Sequence, residues 1–431
     1  MTNNKETLNR DISKLGFAAI ALNGVIGAGI FALPAVAAAR SGNLSPWLFL
    51  FCAVLIMTVV LCMSRAASFF DETGGPIQYA GKAFGPFAGF QTGWLYYIGR
   101  LSAMAANIKL MVIYAGWFWT PLESGMIHNL AVVFIFAVLT LVNVAGVRNS
   151  MMVIYLLSAM KLVPILLLAT VGLAYVQPEL LINTGIPDFS SFGETVLVLL
   201  YAFVGFESAT VLAGEARNAQ RDIPRALTYT VLVITVIYFA IQLVSISVLP
   251  DLANSKTPLA DAAVVVLGST GAILLTLGAV FSIGGNCHSS MLSAPRMTYA
   301  MAYMGTMPAW FGKVNQRFRT PVNSIVFYAV VGLALALSGS FIWLAVVSTL
   351  ARLLCYILSV AALPVLEKTL QPSEHEFRLP GGRLIPGIAL LLCVWLSTFA
   401  SMTQWATTIG FFVMGSVLFF FSRKGNVSKT N

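Results

Sequence analysis

The chain has 431 residues, of which 58% are hydrophobic and only 10% charged. A soluble domain carries about 25% charge, so a soluble globular protein is excluded. The net charge of +9 raises nucleic acid as a partner, but the placement of that charge speaks for a membrane instead.

Apolar runs of roughly 20 residues, the span of a hydrocarbon core, recur along the whole length. Twelve are predicted, near 15–37, 45–68, 86–117, 127–146, 150–175, 192–213, 226–249, 270–303, 322–338, 341–363, 384–402 and 404–422. No stretch between them is long enough to fold separately, so the chain reads as one all-α integral membrane domain. With the N-terminus in the cytoplasm, 19 of the 25 Lys and Arg fall on inside segments. Only Arg40 and Lys256 fall outside, and Arg100, Lys109, Lys161 and Arg352 lie within spans. This asymmetry predicts both termini inside. It puts anionic lipid beside the basic loops and leaves no nucleic-acid partner; the expected location is the plasma membrane (the inner membrane of a bacterium). The expected organisation is a cytoplasmic segment at 1–13, five spans over 14–175, five more over 192–363, two over 384–422, and a tail at 423–431 expected to lack structure.

The first run has basic residues before it and contains AVAAA, as a secretory signal does. Its length and the eleven runs after it argue for a span. Its centre reads NGVIGAGIFALP, Asn23 to Pro34. A glycine costs a helix roughly 1 kcal/mol against alanine, and an interior proline about 3, so a broken helix is predicted. Irregular backbone in lipid survives only inside protein or beside a watery cavity. The break is therefore a close-packing device or a binding site. Between the second and third spans, GPIQYAGKAFG is a short amphipathic piece, expected along the cytoplasmic interface.

The sixth run reads YAFVGFESATVLAG, Tyr201 to Gly214, with Gly205, Glu207 and Ser208 mid-span. A charge at that depth costs at least about 2.5–3.5 kcal/mol. The two interrupted spans each open a block of five, and an odd number per block inverts the second block. Interruptions at matching positions of inverted repeats point to a transporter binding site. Breaking a helix frees N–H groups, which attract a carboxylate, and C=O groups, which accept from an ammonium. Those are the two ends of an amino-acid zwitterion.

Four stretches carry a family resemblance: NGVIGAGIFALP at 23–34, GGPIQYAGKAFGPFAGFQTGWLYY at 74–97, VGFESATVLAGEARNAQRDIPRA at 204–226, and APRMTYAMAYMGTMPAWFGKVN at 294–315. Over nearly its full length the chain resembles the amino acid–polyamine–organocation superfamily of permeases. The resemblance implies twelve transmembrane helices: a five-plus-five inverted-repeat core with broken first and sixth helices, plus two extra spans. It implies that the N–H groups of Ala28 and Gly29, with Ile30 beside them, hold a substrate carboxylate. Carbonyls of Val25, Tyr201 and Val204, around Gly205, would hold the amino group, with Tyr201 as an aromatic lid. Gly99, Arg100, Met104 and Asn107 would line the side-chain subpocket. Lys161 would take the place of a sodium ion near Ser289 and Ser290. Two departures, Asn218-Ala219 for the usual Asn-Pro and Met304 for an acidic residue, fall at the cytoplasmic face, where they bear on gating.

Lys161 is read as a proton carrier, as a permanently charged strut, or as a packing residue with a snorkelled head. Glu207 is either a proton-sensitive gate or an ion-pair partner. Arg100 either repels cationic side chains from the subpocket or pairs with Glu207 or a carbonyl. Lys109 is expected to snorkel to the outer interface, and Arg352 to pair with a helix terminus or another carboxylate. Glu215, Arg217, Arg221, Asp222 and Arg225 are read as an inner gate network or a plain solvated loop. The five cysteines lie within spans without metal spacing and read as packing residues. His288 has no carboxylate in its own segment. No metal, cofactor or enzymatic activity is expected, and the lack of a P-loop speaks against direct ATP drive. A channel or receptor is disfavoured by the paired interruptions. The expected function is sodium-independent, proton-coupled secondary transport of neutral amino acids. The alternative is an exchanger, including one for cationic amino acids or polyamines.

Overall fold

A computed structural model describes residues 14–70, 74–146, 151–182, 189–211, 218–370 and 377–427, and regular structure among them is helical throughout. The first half contains α1 (Lys14–Val25), α2 (Gly29–Ser41), α3 (Ser45–Ala67), α4 (Pro76–Phe84), α5 (Pro86–Gly116), α6 (Gly125–Val144), α7 (Met151–Gly172) and α8 (Glu179–Ile182). The second contains α9 (Phe189–Leu199), α10 (Glu207–Val211), α11 (Ala219–Val248), α12 (Pro258–Tyr303), α13 (Val322–Ser338), α14 (Phe341–Thr369), α15 (Leu384–Ser397) and α16 (Met402–Val427). Among the described residues, seven helical stretches are long and apolar enough to cross a membrane. Shorter apolar helices lie at 16–25, 160–175, 191–202, 322–338 and 384–397.

The first apolar run is two helices, as its glycines predict. The ladder stops at Val25 and resumes at Gly29. Pro34 does not mark the break. It is buried inside α2, and its carbonyl accepts from Gln242 Nε2 at 3.2 Å. The same amide donates to Ser45 Oγ at 2.8 Å, which ties α2 and α3 to α11.

Boundaries differ from expectation in several places. α12 begins at Pro258, well before the eighth apolar run, and bends at Gly268, where φ is +72°. The ten residues before that bend, PLADAAVVVL, are apolar apart from Asp261 but too few to span a membrane, and Gly268 and Ser269 separate them from the eighth run. α14 runs to Thr369. α16 continues to Val427, into the tail expected to lack structure. Near that end of α16, Ser422 Oγ reaches the Gly305 carbonyl at 3.1 Å. Residues 1–13 and 428–431 lie outside the described residues.

α5 is the most enclosed of the long helices, and α6 and α16 are the least. α5 packs against α14, α12, α4 and α13. α4, the amphipathic piece, has proline at its start and Gly85 at its end. It buries Pro76, Tyr79 and Ala80 against the helices around it. Gln91 Nε2 and Trp94 Nε1, one turn apart on α5, bond Ser416 Oγ and the Phe411 carbonyl at 2.7 Å each and clip α16 to the core.

Candidate functional site

The two interruptions meet. Gly205, between α9 and α10, has φ +116°, a conformation that a side chain rarely permits. A Cβ there would lie 2.3 Å from the Gly24 carbonyl oxygen, and one on Gly29 would lie 2.7 Å from Ala202 Cα. Only glycines allow the two irregular backbones to approach this closely.

At the first break, Gly27 N–H turns back to the Val25 carbonyl at 2.8 Å. Phe31 and Ala32 are the first to donate into the new helix, both to the Ala28 carbonyl. Among the described residues, the N–H groups of Ala28, Gly29 and Ile30 have no acceptor. All three residues are buried. The carbonyl side of this break is occupied. Lys161, on α7 and 1% exposed, reaches Asn23 Oδ1 at 2.6 Å, the Ile26 carbonyl at 2.8 Å and the Asn23 carbonyl at 3.2 Å.

The second break is occupied at the opposite pole. α9 ends in a 3₁₀ turn, Leu200–Ala202, before the chain opens at Phe203–Phe206. Gly205 N–H donates to Glu207 Oε2 at 2.9 Å, so the carboxylate folds back onto the start of α10. Glu207 is fully buried. It receives Tyr356 Oη at 2.9 Å and forms an ion pair with Arg352 Nε at 3.1 Å, both from α14. Among the described residues, the carbonyls of Tyr201, Ala202, Phe203 and Val204 receive no hydrogen bond.

A chain of side-chain amides links the breaks. Tyr201 Oη donates to Asn107 Oδ1 at 2.7 Å, Asn107 Nδ2 to Asn286 Oδ1 at 3.1 Å, and Asn286 Nδ2 to the Asn23 carbonyl at 3.3 Å. The last acceptor also receives Lys161. Asn107 and Asn286 stand beside Gly27, where a Cβ would come within 3.8 Å of both amide nitrogens. Asn23 and Asn286 escaped the sequence reading. The signal that could have found Asn286 is an asparagine at membrane depth within GGN, 284–286.

Val25, Ala28, Gly29, Ile30, Tyr201, Val204, Gly205, Asn107, Lys161 and Glu207 gather around the breaks. Met104 is buried one turn before Asn107. Gly99 faces α14 instead. Its carbonyl accepts from Ser348 Oγ at 2.7 Å, and a Cβ there would meet Arg352 Cγ at 3.0 Å. Arg100 turns to Tyr96 Oη at 3.1 Å and Ser293 Oγ at 2.8 Å, while the ion pair with Glu207 belongs to Arg352. Ser290 Oγ pairs with Tyr328 Oη at 2.9 Å, and the Ser289 carbonyl accepts from Ser293. The acceptors of Lys161 are all on the first broken helix.

Lys109, expected to snorkel, donates to the Ala336 carbonyl of α13 at 2.9 Å. Arg221, Asp222 and Arg225 lie on the first turns of α11, and Glu215 and Arg217 lie outside the described residues. Met304, exposed, follows α12, and Asn218 precedes α11.

Several apolar membrane-length helices and two interruptions packed on each other define a multi-pass membrane protein built around a polar break. The chain belongs to the amino acid permease family, whose model, described as "Amino acid permease", matches residues 12–431. It is 28% identical to the serine/threonine exchanger SteT of Bacillus subtilis, over 89% of each chain. It is 25% identical to the branched-chain amino acid permease BcaP of the same organism, over 98% of this chain and 95% of that one. It is also 25% identical to the methylthioribose transporter of B. subtilis, over 97% and 95%. The names of the family and of these relatives are those of transporters and not of enzymes.

Proposed function

We propose that the protein is a secondary active carrier of neutral amino acids, sodium-independent and coupled to protons, working by alternating access around the paired breaks. One observation carries the proposal: each break has one pole neutralised by a buried charge of the protein and the other pole free. The free N–H groups of Ala28, Gly29 and Ile30 suit a carboxylate. The free carbonyls of Tyr201 and Val204, with the second lone pair of the Val25 carbonyl, suit an ammonium.

In this reading the blocks 14–175 and 192–363 are inverted repeats, within twelve spans that leave both termini in the cytoplasm of a plasma-membrane protein. Tyr201 closes over the substrate. Met104 and Asn107 meet its side chain, and Gly99 acts by giving Arg352 room. Arg100, Lys161 and Arg352 outnumber Glu207 in this region, which disfavours a cationic substrate side chain. The serine/threonine and branched-chain amino acids in the relatives' names are neutral. Lys161 carries the proton. Losing it would release the carbonyls of Asn23 and Ile26 and loosen the first break. Glu207 gates by holding α10 to α14, and Ser289 and Ser290 stand on the moving face of α12.

Exchange is the second reading, favoured by the name of SteT and by the full set of acceptors around Lys161, which suits a permanently charged strut. Uptake of a labelled panel of amino acids into proteoliposomes, in sodium-free buffer with and without an inward proton gradient, separates the two. Accumulation of neutral amino acids driven by protons and lost in Lys161→Met is the expected result. Uptake that needs internal amino acid and ignores the gradient would favour exchange. Transport confined to arginine, lysine or polyamines would overturn the substrate assignment.

A further inference from the structure

A cavity lies where α3 and α14 end and α15 begins. Its volume is about 440 Å³. Arg65, Glu367, Arg378 and Arg383 give it its polar groups, and Leu379 and Pro386 belong to its apolar wall. Arg65 Nε bonds Glu367 Oε1 at 3.0 Å, and its Nη1 bonds the Phe377 carbonyl at 3.1 Å. Among the described residues, the one carboxylate lining the cavity is thus already matched by a cation. Arg378 and Arg383 are exposed, and among the described residues neither has a carboxylate partner.

A tight turn sets these two arginines on one rim. Gly381 and Gly382 have φ of +77° and +58°, consecutive left-handed residues. Gly382 N–H donates to the Leu379 carbonyl at 3.2 Å, and Leu384 N–H to the Gly381 carbonyl at 3.3 Å. Helix α15 starts directly after Arg383. It carries Leu384, Ile388 and Leu391, exposed by 73%, 45% and 73%. Their spacing of four and three residues places them in one stripe running away from the arginine rim.

Guanidinium groups match phosphate oxygens in a bidentate geometry. Basic pockets between membrane helices, at the depth of helix ends, suit anionic head groups. We propose that this cavity binds the phosphate head group of an anionic phospholipid, with an acyl chain laid along the α15 stripe. A free phosphate ion shares the head-group chemistry but makes no use of the stripe.

The test uses the full chain purified in neutral detergent. Its unfolding midpoint is followed during titration with dioleoyl phosphatidylglycerol, with phosphatidylcholine of the same chains, or with inorganic phosphate. Lipid retained on the protein is read by native mass spectrometry. Phosphatidylglycerol should raise the midpoint and be retained, and phosphatidylcholine should do neither. Arg378→Gln with Arg383→Gln changes two exposed side chains and should leave the lipid-free midpoint in place. It should weaken phosphatidylglycerol retention roughly 10- to 30-fold, the effect of two basic groups at a lipid surface. An equal response of the double variant, or equal retention of the two lipids by the unaltered protein, overturns the proposal. Inorganic phosphate reproducing the whole shift overturns the lipid as occupant. If the double variant fails to fold, the lipid preference of the unaltered protein still decides.

Discussion

The two breaks use one device with opposite polarity. At the first, a lysine from another helix covers the carbonyl pole and leaves N–H groups free. At the second, a glutamate two residues along the same chain covers the N–H pole and leaves carbonyls free. A helix interrupted in a low-dielectric interior exposes both poles, each costly if left bare. The fold neutralises one pole at each break, and the two it leaves open are of opposite sign. Because Gly24 meets Gly205 and Gly29 meets Ala202, these poles share one place. The difference between the breaks therefore gives the site a direction, which two identical breaks would lack.

The sharpest way to break the comparison is at the second interruption. Glu207→Gln leaves Arg352 buried without its carboxylate and should cost about 3–5 kcal/mol, as removal of one partner from a buried pair does. The expected result is a lower unfolding midpoint in detergent and lost uptake. Adding Arg352→Met should restore much of the midpoint, and an unaltered midpoint in the single variant would sink the capping role. At the first interruption, Lys161→Met strips a donor from Asn23 and Ile26, a loss of about 1–3 kcal/mol. The loss should appear in the same melting experiment, together with abolished accumulation. Binding of labelled substrate should persist, because the N–H pole is untouched, and loss of binding in a folded Lys161→Met protein would contradict the separation of the poles. Gly29→Ala should force the breaks apart at a cost of about 1–3 kcal/mol and weaken binding more than it lowers the midpoint. The smallest effect is expected for Asn286→Ala, about 0.5–1.5 kcal/mol. This change cuts the link between Tyr201 and Asn23 and should reduce affinity by less than about tenfold.

Both interruptions were legible in the sequence because helix breakers and a mid-span carboxylate are local signals. NGVIGAGIFALP gave the position of the first, although Pro34 proved to be a passenger inside α2. What was not legible depends on how distant helices are rotated against each other. Glu207 had Arg100 and Arg352 as possible partners at membrane depth, and no local pattern says which helix face turns inward. Packing decides: Gly99 lets Arg352 lie against α5, while Arg100 turns to α12. The acceptors of Lys161 lie on α1 and the break, a choice that only the packing of α7 against the first broken helix makes. The amides of Asn23 and Asn286 form their link only once α1, α5 and α12 are assembled. The early start of α12 was missed for a different reason, since the apolar stretch before Gly268 is only ten residues long, too short to register as a span.

Lys161 also bears on how the fold responds to dilution. A dissolved cation at the first break would leave as the surrounding solution was depleted, and its occupancy would follow a binding curve. An amine carried on a side chain does not follow the salt concentration, and its charge answers only to protons. It is delivered once for each folded chain, and its effective concentration is set by the geometry of α7. The carbonyls of Asn23 and Ile26 therefore keep their donor in fresh water and in brine alike.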